Sequence, residues 1–227
     1  MSLSIILPVL NEAEGIAQTL GALRGLGAQV IVADGGSRDG TIGHALLHAD
    51  LVIPAPRGRA MQMNAGAREA TGDKLLFLHA DTKLPAGAVE LIEAALQTHP
   101  WGRFDVRIDG HSPILRLIGG MMNLRSRLTG IATGDQAMFM TRKAFDAIGG
   151  FPELPLMEDI AASNALKRIG PPACLRARAR TSGRRWEKNG VLRTVLLMWR
   201  LRLQYFFGAD PRDLALRYGY RPREEDA

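Results

Sequence analysis

Cysteine is nearly missing: Cys174 is the single one in 227 residues. It has no partner for an internal disulfide, which favours a reducing compartment. Aromatic residues are scarce at 6%, and no RNA- or DNA-binding module signature occurs, which weighs against a nucleic-acid partner. No run of roughly 18 apolar residues exists, so no transmembrane helix is expected. The opening MSLSIILPVLNEAEG lacks a basic region before its short apolar run and does not read as a signal peptide. A cytoplasmic protein is the expectation. The glycine fingerprint GxGxxG is missing after the first strand pattern, as is GxxxxGK[ST] anywhere. Nicotinamide enzymes and P-loop enzymes are thereby disfavoured.

What is present fits an ordinary globular chain, 46% apolar and 23% charged. A chain of this length buries roughly 70% of its unfolded surface and needs no disulfide or metal staple. The net charge is +6, which suggests an anionic partner. Its distribution is uneven. Residues 1–169 hold 16 basic and 17 acidic side chains, whereas residues 170–227 hold 13 and 6. The whole excess lies in the last quarter.

The first half alternates strand and helix patterns. Leu3–Leu7, Gln29–Ala33, Asp50–Ile53 and Lys74–His79 are short apolar or β-branched runs. Between and after them, helical spacing covers Glu14–Leu26, Thr41–His48, Arg59–Ala70 and a segment from Pro85 to about Gln97. Such alternation predicts a parallel sheet with helices on both faces. Beyond residue 100 the spacing predicts strands at Phe104–Ile108 and Ala137–Thr141. Helices are expected at Lys143–Ile148, Met157–Arg168 and Val191–Phe207. Leu115–Gly134 reads only as a Gly- and Arg-rich stretch, and Thr181–Gly190 as a polar loop.

Open sheets of this kind bind ligands beyond the carboxyl ends of their strands. Asp34, followed by Gly35, Gly36 and Ser37, stands at one such end. Its carboxylate can accept from a base N–H or a ribose hydroxyl, and it can equally form an Asx turn. His79-Ala80-Asp81 stands at another. Strand alternation puts His79 and Asp81 on one side, where they could bind a divalent cation or merely cap the turn. Glu158-Asp159 opens a helix, where acids complement the dipole or serve as a general base. Arg184-Arg185-Trp186 offers guanidinium groups and an indole, and Arg176, Arg178 and Arg180 precede it at the spacing of an edge strand. The Val191–Phe207 helix is apolar on most sides. Packing or a partner surface is favoured there, with peripheral membrane contact second.

In order, PVLNEAEGI, VIVADGGSRDGT, GRAMQMNAGAREATGD, KLLFLHADT, GDQAMFMTRKAFDAIGGF, MEDI and RRW resemble the inverting nucleotide-sugar glycosyltransferases of family two. The resemblance runs from about Ser4 to Trp186. GRAMQMNAGA, LHADT and TSGRRWEKNG most resemble a bacterial subgroup associated with arsenosugar biosynthesis. The family resemblance implies a GT-A fold: a mostly parallel central sheet flanked by helices, with a nucleotide-binding half (1–100) and an acceptor half (101–189). Residues 190–227 would form a basic amphipathic helical extension.

By the same resemblance, Pro8, Asn11, Glu12, Asp34, Gly35, Arg59, His79 and Asp81 would bind the nucleotide sugar. Asp81 would hold Mn²⁺ or Mg²⁺ at the family's D-x-D position. Asp159 would be the general base with Glu158 beside it. Asp135 and Gln136 would face sugar or acceptor, and Arg185 and Trp186 would serve leaving group and acceptor. Two departures stand out: the first acid of D-x-D is His79, and the glutamine of Q-x-x-R-W is Ser182. The second speaks against processive synthesis. The implied partner is a nucleotide-diphosphate sugar, UDP-linked in most such enzymes, with an acceptor the motifs do not name. Nucleotidyl transfer, a non-catalytic binding module and a peripheral membrane protein at the inner face of the membrane remain as rival readings.

Overall fold

A computed structural model describes residues 2–220, apart from the side chains of Arg185 and Asn189. Eight strands form one sheet in the order β3-β2-β1-β4-β7-β6-β8-β5. They are β1 (Leu3–Val9), β2 (Gln29–Asp34), β3 (Leu51–Pro54), β4 (Lys74–Phe77), β5 (Thr82–Lys83), β6 (Trp101–Asp109), β7 (Phe139–Thr141) and β8 (Ala173–Ser182). The first four in spatial order are parallel. Strand β7 runs antiparallel to both β4 and β6, β8 is parallel to β6, and β5 is antiparallel to β8. The mostly parallel sheet expected from the sequence is present, and its antiparallel members are β7 and the two-residue β5.

The sheet is covered on both faces because its strands are apolar on both. In β1, Ile5, Leu7 and Val9 point into one core with Ile16 and Leu20 of α1 (Ala13–Leu23), Ala45 of α2 (Thr41–Leu46) and Ile92 of α4 (Ala88–Ala95). The intervening Ile6 points into the other core. There it meets Met63 and Ala67 of α3 (Arg59–Glu69), Phe145 of α6 (Arg142–Ala147) and Leu166 of α7 (Glu158–Lys167). Helix α3 lies so close to β1 that a Cβ on Gly66 would sit 2.5 Å from Ile6 Cγ2. Phe77, Phe145 and Phe151 pack on one another, with centroids 4.8 to 6.3 Å apart, an arrangement that adds about 0.5–1.5 kcal/mol per pair beyond burial.

Three expectations are corrected. The helix after β4 begins at Ala88, not Pro85: Gly87 in the left-handed region ends the loop and becomes the cap. The stretch from Leu115 is a four-turn helix, α5 (Ile114–Thr129). Its Asn123 side chain donates to Val106 O and accepts from Val106 N, satisfying the edge of β6 that no strand covers there. The polar loop at Thr181–Gly190 is instead the end of β8 followed by α8 (Arg184–Asn189). Arg176, Arg178 and Arg180 do alternate outward along β8, but β8 is not an edge strand: it lies between β6 and the two-residue β5. Finally, α9 (Val191–Phe206) and α10 (Pro211–Tyr218) share a small core with Leu156 and Met157, just ahead of α7.

Candidate active site

The spatial order of the first four strands reverses between β1 and β4, and a crevice opens there at the strand ends. Pro8 comes from the end of β1 and Glu12 from just beyond it, and His79, Ala80 and Asp81 from beyond β4. They line a cleft of about 450 Å³ together with Arg59, Asp135, Glu158, Asp159 and Trp186. The Ala80 carbonyl accepts from Thr19 of α1, which fixes the turn, while the Ala80 methyl is buried. His79 and Asp81 both reach the cleft, but from the turn after β4, which ends at Phe77, so strand alternation does not place them.

The acids are held differently from one another. Among the described residues Asp81 accepts two long hydroxyl hydrogen bonds, from Thr82 and Thr181 at 3.3 Å. Burial, and then the charge of Asp81, push the Glu12 carboxyl above its ordinary range. Asp135 lies 3.3 Å from His79 Nδ1. Desolvation pushes its carboxyl up, but the hydrogen bond with His79 and the charges of Arg59 and Arg202 outweigh it and leave it below the ordinary value. Glu158 is almost wholly buried and pairs with Arg59 at 3.3 Å. Burial still wins over that pairing and raises its pKa. Asp159 accepts from the Gly134 backbone N–H at 3.1 Å. Gly134 also meets the His79 ring: a Cβ there would stand 2.3 Å from Nε2. The residue before the acid pair, Met157, takes a positive φ of 70°, a conformation that costs a non-glycine residue about 1–3 kcal/mol. It turns the chain so that α7 begins with both acids at the cleft.

Not every expected residue lines the cleft. Asn11, Asp34 and Gly35 lie on the far side of β1. Asn11 bonds to Ser37 and Arg38 across the strand ends. Asp34 forms the Asx turn, accepting from Gly36 N and Ser37 N through Oδ2. Its Oδ1 is buried and has no hydrogen-bond partner, so the turn leaves one acceptor over. Gly35 is packed on the Gln62 side chain at 3.1 Å. Gln136, expected to face sugar or acceptor, is corrected: it is fully buried, and its amide oxygen accepts from Thr133 N in a capping box. The Arg185 side chain lies outside the described residues. Its neighbour Arg184 bridges Glu14 at 2.6 Å and Glu12 at 3.9 Å, tying α8 to α1.

A sequence profile of Glycosyl transferase family 2 matches residues 4–149, well over half of the chain. The chain belongs to glycosyl transferase family 2. Solved structures share its fold. The mannosyltransferase PcManGT of Pyrobaculum calidifontis, in complex with GDP-Man and Mn²⁺, superposes with a TM-score of 0.67 at 21% identity, over 97% of this chain and 65% of that one. TarS 1–349 of S. aureus gives 0.63 at 19%, over 81% and 61%. It has also been solved with UDP-GlcNAc. Glucosyl-3-phosphoglycerate synthase of Mycobacterium tuberculosis, with Mn²⁺ and UDP, gives 0.57 at 19%, over 79% and 70%. This family 2 chain spans about three fifths of the length of the TarS structure it matches. No curated protein sequence matches it.

In this family 2 chain one wall of the cleft comes from residues that sequence reasoning missed. Helix α5 gives Ile118, Met121, Met122 and Arg125; α9 gives Thr194, Val195, Met198, Trp199 and Arg202; α10 gives Tyr218. The spacing of Ile114, Leu115, Ile118, Met121 and Met122 is helical and could have revealed α5, but Gly119-Gly120 in its middle masked the pattern.

The donor set suits a divalent cation of the Mg²⁺ or Mn²⁺ kind. Such ions use one or two carboxylates and complete their shell with phosphate oxygens and water. Asp81 supplies one exposed, loosely bonded carboxylate, and Glu12 a second whose raised proton affinity partly reflects Asp81. A cation between them relieves that repulsion. His79 is less suited: Nδ1 faces Asp135, and the buried Nε2 is covered by Gly134. Among the described residues no three His, Cys, Asp or Glu side chains converge on one metal position, so an ion held here would complete its shell with oxygens from outside the chain, phosphate or water.

Proposed function

We propose that the chain transfers a sugar from a nucleotide-diphosphate sugar, UDP-linked in the first instance, to an acceptor hydroxyl with inversion. The observation that carries this reading is the convergence on one cleft of Asp81 from the end of β4 and Asp159 from the start of α7. One carboxylate is placed for a diphosphate, the other for a proton.

Asp34 receives the base: its buried, partnerless Oδ1 suits an N–H donor, and Asn11 and Gly35 shape the loop around it. Asp81, with Glu12 beside it, would hold a divalent metal, and such an ion would supply positive charge to a departing diphosphate. Asp159 takes the proton from the acceptor hydroxyl, steadied by Gly134 N–H. Glu158 holds Arg59 in place beside it. Attack from the face opposite the diphosphate inverts the anomeric carbon. Ser182 in place of the family's glutamine favours single transfers over processive synthesis. The narrower likeness to arsenosugar-associated enzymes rests on three short segments and names no acceptor.

A peripheral membrane contact at the inner face is a further part of the reading. Leu192, Leu196, Trp199, Leu203 and Phe206 form one exposed stripe on α9, flanked by exposed Arg193 and Arg200. No described helix is long and apolar enough to cross a membrane.

The test is release of nucleoside diphosphate from a panel of UDP- and GDP-linked sugars, with soluble and membrane extracts as the acceptor source. The wild-type chain should turn over at least one donor. Asp159→Asn should lose about 10²–10⁴-fold in rate, the range of general-base catalysis, with nucleotide affinity intact. Unchanged turnover in Asp159→Asn removes the base assignment, and no turnover of any donor by the wild type removes the transferase reading.

A further inference from the structure

Half of the cleft is explained by nucleotide and proton chemistry. The other half is apolar, built from α5 and α9, and carries two cations that this chemistry does not use. Arg125 and Arg202 both line the cleft. Arg125 Nε and Nη2 and Arg202 Nε are buried and have no hydrogen-bond partner. A guanidinium in an apolar wall ordinarily pairs with a carboxylate or a carbonyl, because desolvating its N–H groups without an acceptor is costly. Here two of them face one space.

We propose that the acceptor is an amphiphile: an anionic group, phosphate or carboxylate, is received by Arg125 and Arg202, and an apolar body lies on Met121, Met122, Met198 and Trp199. The proposal rests on the transferase reading of the cleft and names the acceptor class that reading leaves open.

Three observations point the same way. First, the arginines press on each other. Burial and then the charge of Arg202 bring the Arg125 pKa down to about 10, and an anion between them supplies the opposite charge that offsets both. Second, they stand on the side of the base. Arg125 and Arg202 stand on α5 and α9 rather than at the ends of β1 and β4, and the charge of Asp159 acts on Arg125, so an anion held there brings its own molecule toward the base. The diphosphate belongs to the ends of β1 and β4, on different elements. Third, the wall suits an adaptable apolar guest. Methionine side chains are unbranched and polarisable and conform to varied surfaces. Met121 and Trp199 are about half exposed at the mouth, so an apolar body gains burial on entering.

Calorimetric titration of the full chain, free of metal, with n-octyl phosphate, octanol and glycerol phosphate separates the elements of the claim. Octyl phosphate should bind about tenfold or more tightly than either of the others. Arg125→Gln and Arg202→Gln should each weaken it by about the same factor while nucleoside diphosphate binding with Mn²⁺ is retained, which also shows that the variants fold. Octyl phosphate binding no tighter than octanol overturns the anion subsite, and glycerol phosphate binding equally well overturns the amphiphile. Variants that weaken nucleoside diphosphate and spare octyl phosphate overturn the proposal by assigning the arginines to the leaving group. A wild type that binds octyl phosphate but no nucleoside diphosphate defeats the transferase reading alone, and the ligand class of this wall stands.

Discussion

Glu158 shows how much single residues in the cleft are asked to bear. Its side chain is 3% exposed while that of Arg59, its partner, is 38% exposed. The acid therefore loses more hydration than the pairing returns, and its pKa is raised from 4.5. The sign of the linkage follows. As pH rises past 4.5 the unfolded chain ionises first, so this group's contribution to stability falls until its raised folded value has been passed. Glu158→Gln removes the titration. As pH rises above 4.5 the urea midpoint of the variant should therefore rise relative to wild type, and a difference that stays flat with pH contradicts the assignment. At this scale the sequence was partly legible. Asp81, Asp159 and Glu12 stand in segments that follow or open regular elements, and their place at a cleft could be expected from position; the roles proposed for them come from the family resemblance. Gln136 could not be placed. Its neighbour Asp135 lines the cleft while Gln136 turns inward to Thr133, and a one-residue difference in a tight turn leaves no periodic trace.

The elements divide by the regularity of their pattern. Strands β1, β2 and β4 were legible to within a residue or two because both faces are apolar and turn residues bound them. Helix α5 was not, since its glycine pair and arginines imitate a loop, and α10 is too short and polar to stand out. Helix α9 was legible as a helix, but which face it covers was not. It buries Thr194 and Leu201 and leaves Leu192, Leu196 and Phe206 in solvent. An exposed apolar stripe with flanking arginines suits an anionic bilayer surface, where apolar insertion and charge attraction add. Flotation with phosphatidylglycerol vesicles should carry the chain at low salt and less of it at high salt, because exposed charges are screened. Leu196→Glu should abolish it. No association with these vesicles at low salt contradicts the membrane contact.

For the whole molecule, the net charge of +6 takes on a location. The balanced first 169 residues build the sheet and its acid-lined crevice. The basic remainder supplies β8, α8 and α9, which close over that crevice with Trp186, Trp199 and Arg202. The mixed strand order that brings β7, β6 and β8 beside β4 was not legible, because non-local pairing is decided by tertiary packing rather than by local pattern. The central claim is that this crevice binds a nucleotide diphosphate through a cation on Asp81. It is tested most directly by titrating UDP and GDP into the chain calorimetrically, with and without Mn²⁺, for wild type and Asp81→Ala. The account predicts that one nucleotide binds the wild type about tenfold or more tightly with Mn²⁺, and that Asp81→Ala abolishes this gain. Equal affinity with and without the metal, or an undiminished gain in Asp81→Ala, would contradict it.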